Sequence, residues 1–358
     1  MKNWPDLTCI FTTYNRKDFI RQSFLSILHQ DYEGKLQIIA SDDCSTDGTF
    51  EMLQEMMQAY EGPHEVLVIQ TPKNGRLAAN VNHALRHAKY DWIVRHDDDD
   101  VASPHKCKIL GWAIARQTPA LFILSEASAT SVHEKEASFP AVDLAHLSLE
   151  ESPDLYGLFS NNNTLKEVLE AKCFSKKLWS EFGDLPDSAY YIDDLTFFLR
   201  ARIQHDAAIV RGHQTAILSY REDNSSGPKD GFKSLRNIKS WEAFIDKYYT
   251  VSHSAFSALN HELKMFIESV ETNHTHVDKH AVAPILNFIT SKLYHAQFEG
   301  GWYSSCNTYQ RFLRWVEMKK NPVYANNKYY FLFKVFPLAL FAAIIRMKHF
   351  RPFHKGAK

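Results

Sequence analysis

The chain has 358 residues, 45% hydrophobic and 23% charged, ordinary for a globular protein and long enough for one large domain plus a smaller one. A formal net charge of -1 at pH 7 provides no basic field for nucleic acid, so any phosphate recognition must be local. The five cysteines (Cys9, Cys44, Cys107, Cys173, Cys306) are scattered and contain no Cys-x-x-Cys pair, which argues against a disulfide framework or a zinc site and fits a reducing compartment.

Met1 to Asp6 is followed by only a short apolar run, which does not read as a signal peptide, so a cytoplasmic protein is expected. Leu7 to Thr12 predicts a buried strand, then a polar turn, Thr13-Tyr14-Asn15-Arg16, and a helix whose Ile20, Phe24, Ile27 and Leu28 share a face. Leu36 to Ala40 predicts a second strand, ending in Ser41-Asp42-Asp43-Cys44-Ser45-Thr46-Asp47-Gly48-Thr49 before a helix carrying Phe50, Leu53, Met56 and Met57. Val66 to Ile69 is a third strand, Lys73-Asn74-Gly75-Arg76 a turn, and Leu77, Val81, Ala84, Leu85 and Ala88 mark a third helix. Trp92 to Val94 predicts a buried strand, followed by a helix near Pro104 to Gln117 and a short strand over Leu121 to Leu124. Such alternation implies an α/β domain, a mainly parallel sheet with helices on both faces, whose ligands sit beyond the carboxyl ends of the strands.

The segment Arg95-His96-Asp97-Asp98-Asp99-Asp100 lies at such an end. Crowded carboxylates repel one another and persist most easily around a shared divalent cation, and Mg²⁺ or Mn²⁺ typically bridges one or two carboxylates to substrate phosphates. A solvated acidic turn is the plainer alternative. Residues from Glu126 to about Leu165 are less periodic and predict an insertion or loop. Regularity returns at Ala171 to Ser175, and Tyr191-Ile192-Asp193-Asp194-Leu195 opens another helix, its acids in the first turn, where the macrodipole favours negative charge. Thr215 to Tyr220 predicts a strand, Ser225-Ser226-Gly227-Pro228 a domain boundary, and the remainder is helical in pattern.

Taken in order, Thr12 to Arg16, Asp42 to Thr49, Asn74-Gly75 through Asn80, and Arg95 to Asp100 resemble the motifs of family 2 glycosyltransferases of the GT-A fold, over about residues 7 to 225. The resemblance implies a catalytic domain over 1–225 and a helical region over 226–358. It implies nucleotide contacts from Thr12, Tyr14 and Asn15, and a base or ribose contact from Asp42 or Asp43, since a carboxylate accepts from an imide N–H or a hydroxyl. Arg76 and Asn80 are further candidates at the nucleotide site. Aligned on Arg95, Asp97-Asp98-Asp99 becomes the Asp-x-Asp element, with Asp99 the metal ligand, Asp97 a ribose contact that shares the metal, and Asp98 beside the donor. The register stays open by one, so Asp98 or Asp100 could share the Mn²⁺ or Mg²⁺. Asp194, with Asp193 in support, takes the place of the family's general base. Tyr220-Arg221 resembles the loop after the last core strand, and His96 and His213 are candidate metal neighbours.

The resemblance thus implies a metal-dependent, inverting transfer of one sugar from a nucleotide diphosphate donor, UDP-sugar or dTDP-sugar, to a saccharide or lipid-linked acceptor in bacterial surface-polysaccharide assembly. No nucleic-acid partner is expected. A sugar nucleotidyltransferase would need a glycine-rich loop where Thr13-Tyr14-Asn15-Arg16 stands, and a non-catalytic glycan-binding protein would be expected to have lost these acids. Val335 to Ile345, preceded by aromatics and trailed by Arg346, Lys348, Arg351 and Lys355, is too short at about 1.5 Å per residue to cross a hydrocarbon core about 30 Å thick. It suits either a peripheral contact with the cytoplasmic face of the inner membrane over about 329–355 or packing on the protein's own core.

Overall fold

The computed structural model describes residues 4–116, 120–130, 138–151, 168–185, 196–197, 200–201 and 206–219. All lie in the compact unit that includes Met1–Tyr220. The expected helical region 226–358 and its candidate membrane-surface segment lie outside the described residues. Among the described residues, no helix is long and apolar enough to cross a membrane.

The chain order is β1 (Leu7–Thr13), α1 (Ile20–Leu28), β2 (Leu36–Asp42), α2 (Thr49–Gln58), β3 (Glu65–Gln70), α3 (Arg76–His87), β4 (Trp92–Asp97), β5 (Val101–Ala102), α4 (Lys106–Ile114), β6 (Ala120–Thr130), β7 (Ser148–Glu151), β8 (Val168–Ser175), α5 (Lys177–Phe182) and β9 (Asp206–Ser219). The strands join one sheet in the order β3-β2-β1-β4-β8-β6-β9-β5, with β7 paired to β9. Its first four strands are parallel, the Rossmann-like half that the GT-A fold requires. Beyond β4 the β4–β8, β6–β8, β5–β9 and β7–β9 pairings are antiparallel, and β6–β9 is parallel.

Every residue of β1 is buried, as expected for a central parallel strand covered on both faces. Successive side chains alternate between faces. Leu7, Cys9 and Phe11 share a cluster with Phe24 and Ile27 of α1, Leu53 of α2, and Ile109, Leu110 and Ala113 of α4. The opposite face meets α3, where Asn80 reaches Ser41 of β2.

Two expected segments differ. The stretch from Glu126 onward continues β6 to Thr130, and β9 begins at Asp206 rather than near Thr215. The two strands pair with one another along their length, which carries them through polar positions, and the buried hydroxyls of Ser125 and Thr215 satisfy each other at 2.6 Å.

Candidate active site

Parallel β1, β2 and β4 end together, Thr12 facing Ser41 on one side and Asp97 on the other. Asp98 and Asp99 form a turn that links β4 to β5, closed by a 3.4 Å bond from Asp100 N to Asp97 O. One carboxylate oxygen each of Asp97, Asp99 and Asp100 lies within 4.8 Å of the others, a spacing that a single cation can bridge. Only oxygen ligands are present, which suits the hard cations Mg²⁺ and Mn²⁺. Arg95, 4% exposed, approaches Asp97 Oδ1 to 2.7 Å and orients the first of the three.

Asp98 leaves this cluster. Its Oδ2 accepts from Thr13 Oγ1 at 2.7 Å and stands 3.6 Å from Arg16 Nε. Burial pushes its pKa up to about 6, against the opposing pull of Arg16, the Thr13 hydroxyl and the Tyr14 N–H. Asp98 thus ties the β1 loop to the acid turn, and Asp100, the acid beyond the Asp-x-Asp element, completes the trio. Of the four acids in the run, Asp98 is the one that β1 engages.

The acids that follow β2 are equally committed. Asp42 accepts from Ser45 N at 2.8 Å, Gln70 Nε2 at 2.9 Å and the Ser45 hydroxyl. Asp43 accepts from Thr71 Oγ1 at 3.0 Å, Gly75 N at 2.9 Å and Arg76 N at 2.7 Å, which caps the start of α3. A carboxylate has about four lone-pair positions, so each retains roughly one for a ligand. Asp47 caps α2 through Thr49 N at 3.0 Å and holds Lys17 N at 3.1 Å. Asn80 uses both N–H donors and one acceptor position, accepting from Ser41 Oγ at 2.6 Å and donating to Ser41 O at 2.9 Å and Thr13 O at 3.3 Å. In this arrangement Asn80 and the two aspartates build the loops of the crevice.

Groups open to a ligand lie nearer β1. Thr12 Oγ1 is buried with no hydrogen-bond partner among the described residues. The Tyr14 ring is 45% exposed. Asn15 clamps the β1 and β2 loops together, its Oδ1 accepting from Thr46 N at 2.9 Å and its own N–H donating to Ser45 Oγ at 2.8 Å. Arg76 is exposed. The described non-glycine residues with positive φ are Asn15 (51°) and Cys44 (59°), in the loops after β1 and β2, and Arg76 (65°), the first residue of α3. Strained backbone of this kind gathers at binding sites because the surroundings hold it there.

His96 and His213, expected as metal neighbours, are not members of the carboxylate trio. The His96 ring is fully buried, bonded to Lys106 Nζ and Asp100 O, and stacked on Phe11. His213 faces His105 at 6.1 Å between ring centroids, and burial followed by the His105 charge lowers its pKa. Asp193, Asp194, Tyr220 and Arg221 lie outside the described residues. Phe197 lies against Phe174, ring centroids 3.8 Å apart, and the fully buried Arg200 donates to the carbonyls of Leu178 (3.2 Å) and Gly183 (2.9 Å).

Sequence reasoning overlooked Lys106, 1% exposed, whose Nζ donates to His96 Nδ1 at 3.2 Å and Arg95 O at 3.3 Å. A signal was available, since Lys106 shares a helical face with Ile109, Leu110 and Ala113, a core-facing stripe in which a lysine is out of place.

Residues 8–125 match the model of the family described as Glycosyl transferase family 2. This segment carries the sequence pattern of that family. Over 106 residues the chain is 37% identical to EpsE of Bacillus subtilis (strain 168), a protein provisionally named a glycosyltransferase, covering 30% of this chain and 37% of that one. Over 101 residues it is 35% identical to TuaG of the same organism, provisionally named a teichuronic acid biosynthesis glycosyltransferase, covering 28% and 38%. The chain thus spans under two fifths of the length of these curated relatives. Among solved structures, the mannosyltransferase PcManGT from Pyrobaculum calidifontis, in complex with GDP-Man and Mn²⁺, aligns with a TM-score of 0.49 at 16% identity, over 98% of this chain and 88% of that one.

Proposed function

We propose that the chain is an inverting glycosyltransferase of polysaccharide biosynthesis that moves one sugar from a nucleotide diphosphate donor, a UDP-sugar before a dTDP-sugar, to a saccharide or lipid-linked acceptor. The observation that carries this reading is the convergence of Asp97, Asp99 and Asp100 at the carboxyl end of β4, within a segment that matches the family model. Their oxygens suit Mn²⁺ or Mg²⁺, which when bound would neutralise the charge that grows on the departing diphosphate.

The protein's own groups hold the donor in place. Tyr14 offers an exposed ring to the base, Thr12 Oγ1 has no bond to give up, and Asp43 retains one acceptor position for an imide N–H or a ribose hydroxyl. Asp42, Asn80 and Asp98 keep the loops in register. Asp194 takes the acceptor's proton on the face of the sugar opposite the diphosphate, and Asp193 supports it. Catalysis sits in residues 1–225, and the segment about 329–355 either contacts the inner face of the membrane peripherally or packs on the protein's own core.

The test is a thermal-shift panel of UDP, dTDP, GDP and their sugars with and without Mn²⁺, followed by NMR of the product. A ligand at about 100 times its Kd adds about 2.7 kcal/mol to the folded state. The reading expects a shift that needs both nucleotide and cation, and a product anomer opposite to the donor's. Full transfer in excess chelator, or retained configuration, overturns it.

A further inference from the structure

Asp97, Asp99 and Asp100 can converge only if the turn that carries them is fixed at both ends, because three carboxylates drive one another apart. At Asp97 the carbonyl accepts from Ser23 Oγ of α1 at 3.0 Å. At Asp100 the turn's own closing bond is long, 3.4 Å. The second fixed point comes from beneath the turn: His96 Nε2 lies 3.1 Å from Asp100 O.

The direction of that bond follows from Lys106. A lysine has donors and no acceptor, so Nδ1 of His96, 3.2 Å from Lys106 Nζ, must accept. The ring proton then resides on Nε2 and is donated to the Asp100 carbonyl. Lys106 is itself held by Arg95 O at 3.3 Å, and Phe11 stacks on the imidazole with 6.2 Å between centroids. Ring orientation and tautomer are therefore both fixed.

We propose that His96 is the positioning residue of the carboxylate cluster, setting the Asp100 peptide, through a tautomer imposed by Lys106, so that Asp97, Asp99 and Asp100 can share one divalent cation. The inference rests on the metal reading of the cluster. Mg²⁺ and Mn²⁺ prefer near-octahedral oxygen geometry at short distances, so a carboxylate displaced by a relaxed peptide is lost as a ligand.

The test is Mn²⁺ binding to the full chain without substrate, read from the EPR signal of free Mn²⁺, with circular dichroism confirming the fold of each variant. His96→Phe keeps the ring against Phe11 and loses both hydrogen bonds. His96→Asn places an amide at the level of Nδ1 and cannot reach Asp100, whereas His96→Gln carries an N–H donor to the level of Nε2. The expected order is wild type close to Gln, with Asn and Phe weaker by about tenfold or more, and kcat at saturating Mn²⁺ recovering in His96→Asn. A packing role would instead leave Phe the best substitute and move only the melting temperature. Equal Mn²⁺ affinity for Gln and Asn, the pair that remains informative if His96→Phe does not fold, overturns the proposal while leaving the metal reading intact. A wild-type protein that takes up no Mn²⁺ overturns both.

Discussion

Thr13 Oγ1 donates to Asp98 Oδ2 at 2.7 Å, and this one bond removes the second carboxylate of the acid run from the cluster formed by the other three. Asp98→Asn can still accept from Thr13, so it should leave Mn²⁺ affinity near that of the wild type, whereas Asp99→Asn should weaken it by at least about tenfold. Calorimetric titration of the two variants decides the register, and a greater loss from Asp98→Asn would reverse the assignment.

Asn80 joins α3 to the ends of β1 and β2 through three hydrogen bonds. Asn80→Ala leaves the buried Ser41 hydroxyl and two carbonyls short of partners, with an expected cost of about 2–3 kcal/mol in urea unfolding. If the variant keeps wild-type stability and loses only nucleotide binding, Asn80 is a ligand contact after all.

Asp43 receives the backbone N–H groups of Gly75 and Arg76 and so starts α3. Asp43→Ala should destabilise the domain by about 1–2 kcal/mol, the usual size of a lost N-cap. Asp43→Asn should recover much of that, because its side-chain oxygen can still accept. Hydrogen exchange of the Gly75 and Arg76 amides is the measurement, and unchanged protection in Asp43→Ala would refute the capping role.

Arg200 is fully buried and donates to Leu178 O and Gly183 O at the end of α5. Gly183 O lies just past the helix end, where carbonyls have no intrahelical partner. Arg200→Met should cost about 2–4 kcal/mol. Because Arg200 follows the proposed base by six positions in the sequence, kcat should also fall while Mn²⁺ affinity holds. Loss of metal binding in a folded Arg200→Met protein would contradict this separation.

Much of the site was legible in the sequence because its signals are local. Apolar runs ending in Thr12, Asp42 and Asp97 mark strand ends, and hydrophobic periodicity predicts α1, α2 and α3 close to where they form. Carboxylates grouped at those ends point to a cation and a phosphate by charge alone. Tertiary structure decided which of these side chains remain open to a ligand. Asp98 and Asp100 are chemically identical and two positions apart, yet one is claimed by Thr13, 85 residues earlier, and the other joins the cluster. Asn80 is engaged by Thr13 and Ser41, and the hydroxyl of Ser125 by Thr215, 90 residues away. A hydrogen bond takes up a donor or acceptor whatever the sequence separation, and register between strands assigns the partners. The residue types were therefore fixed by the sequence alone, and their division between scaffold and site by the packing of β1, β2, β4 and α3.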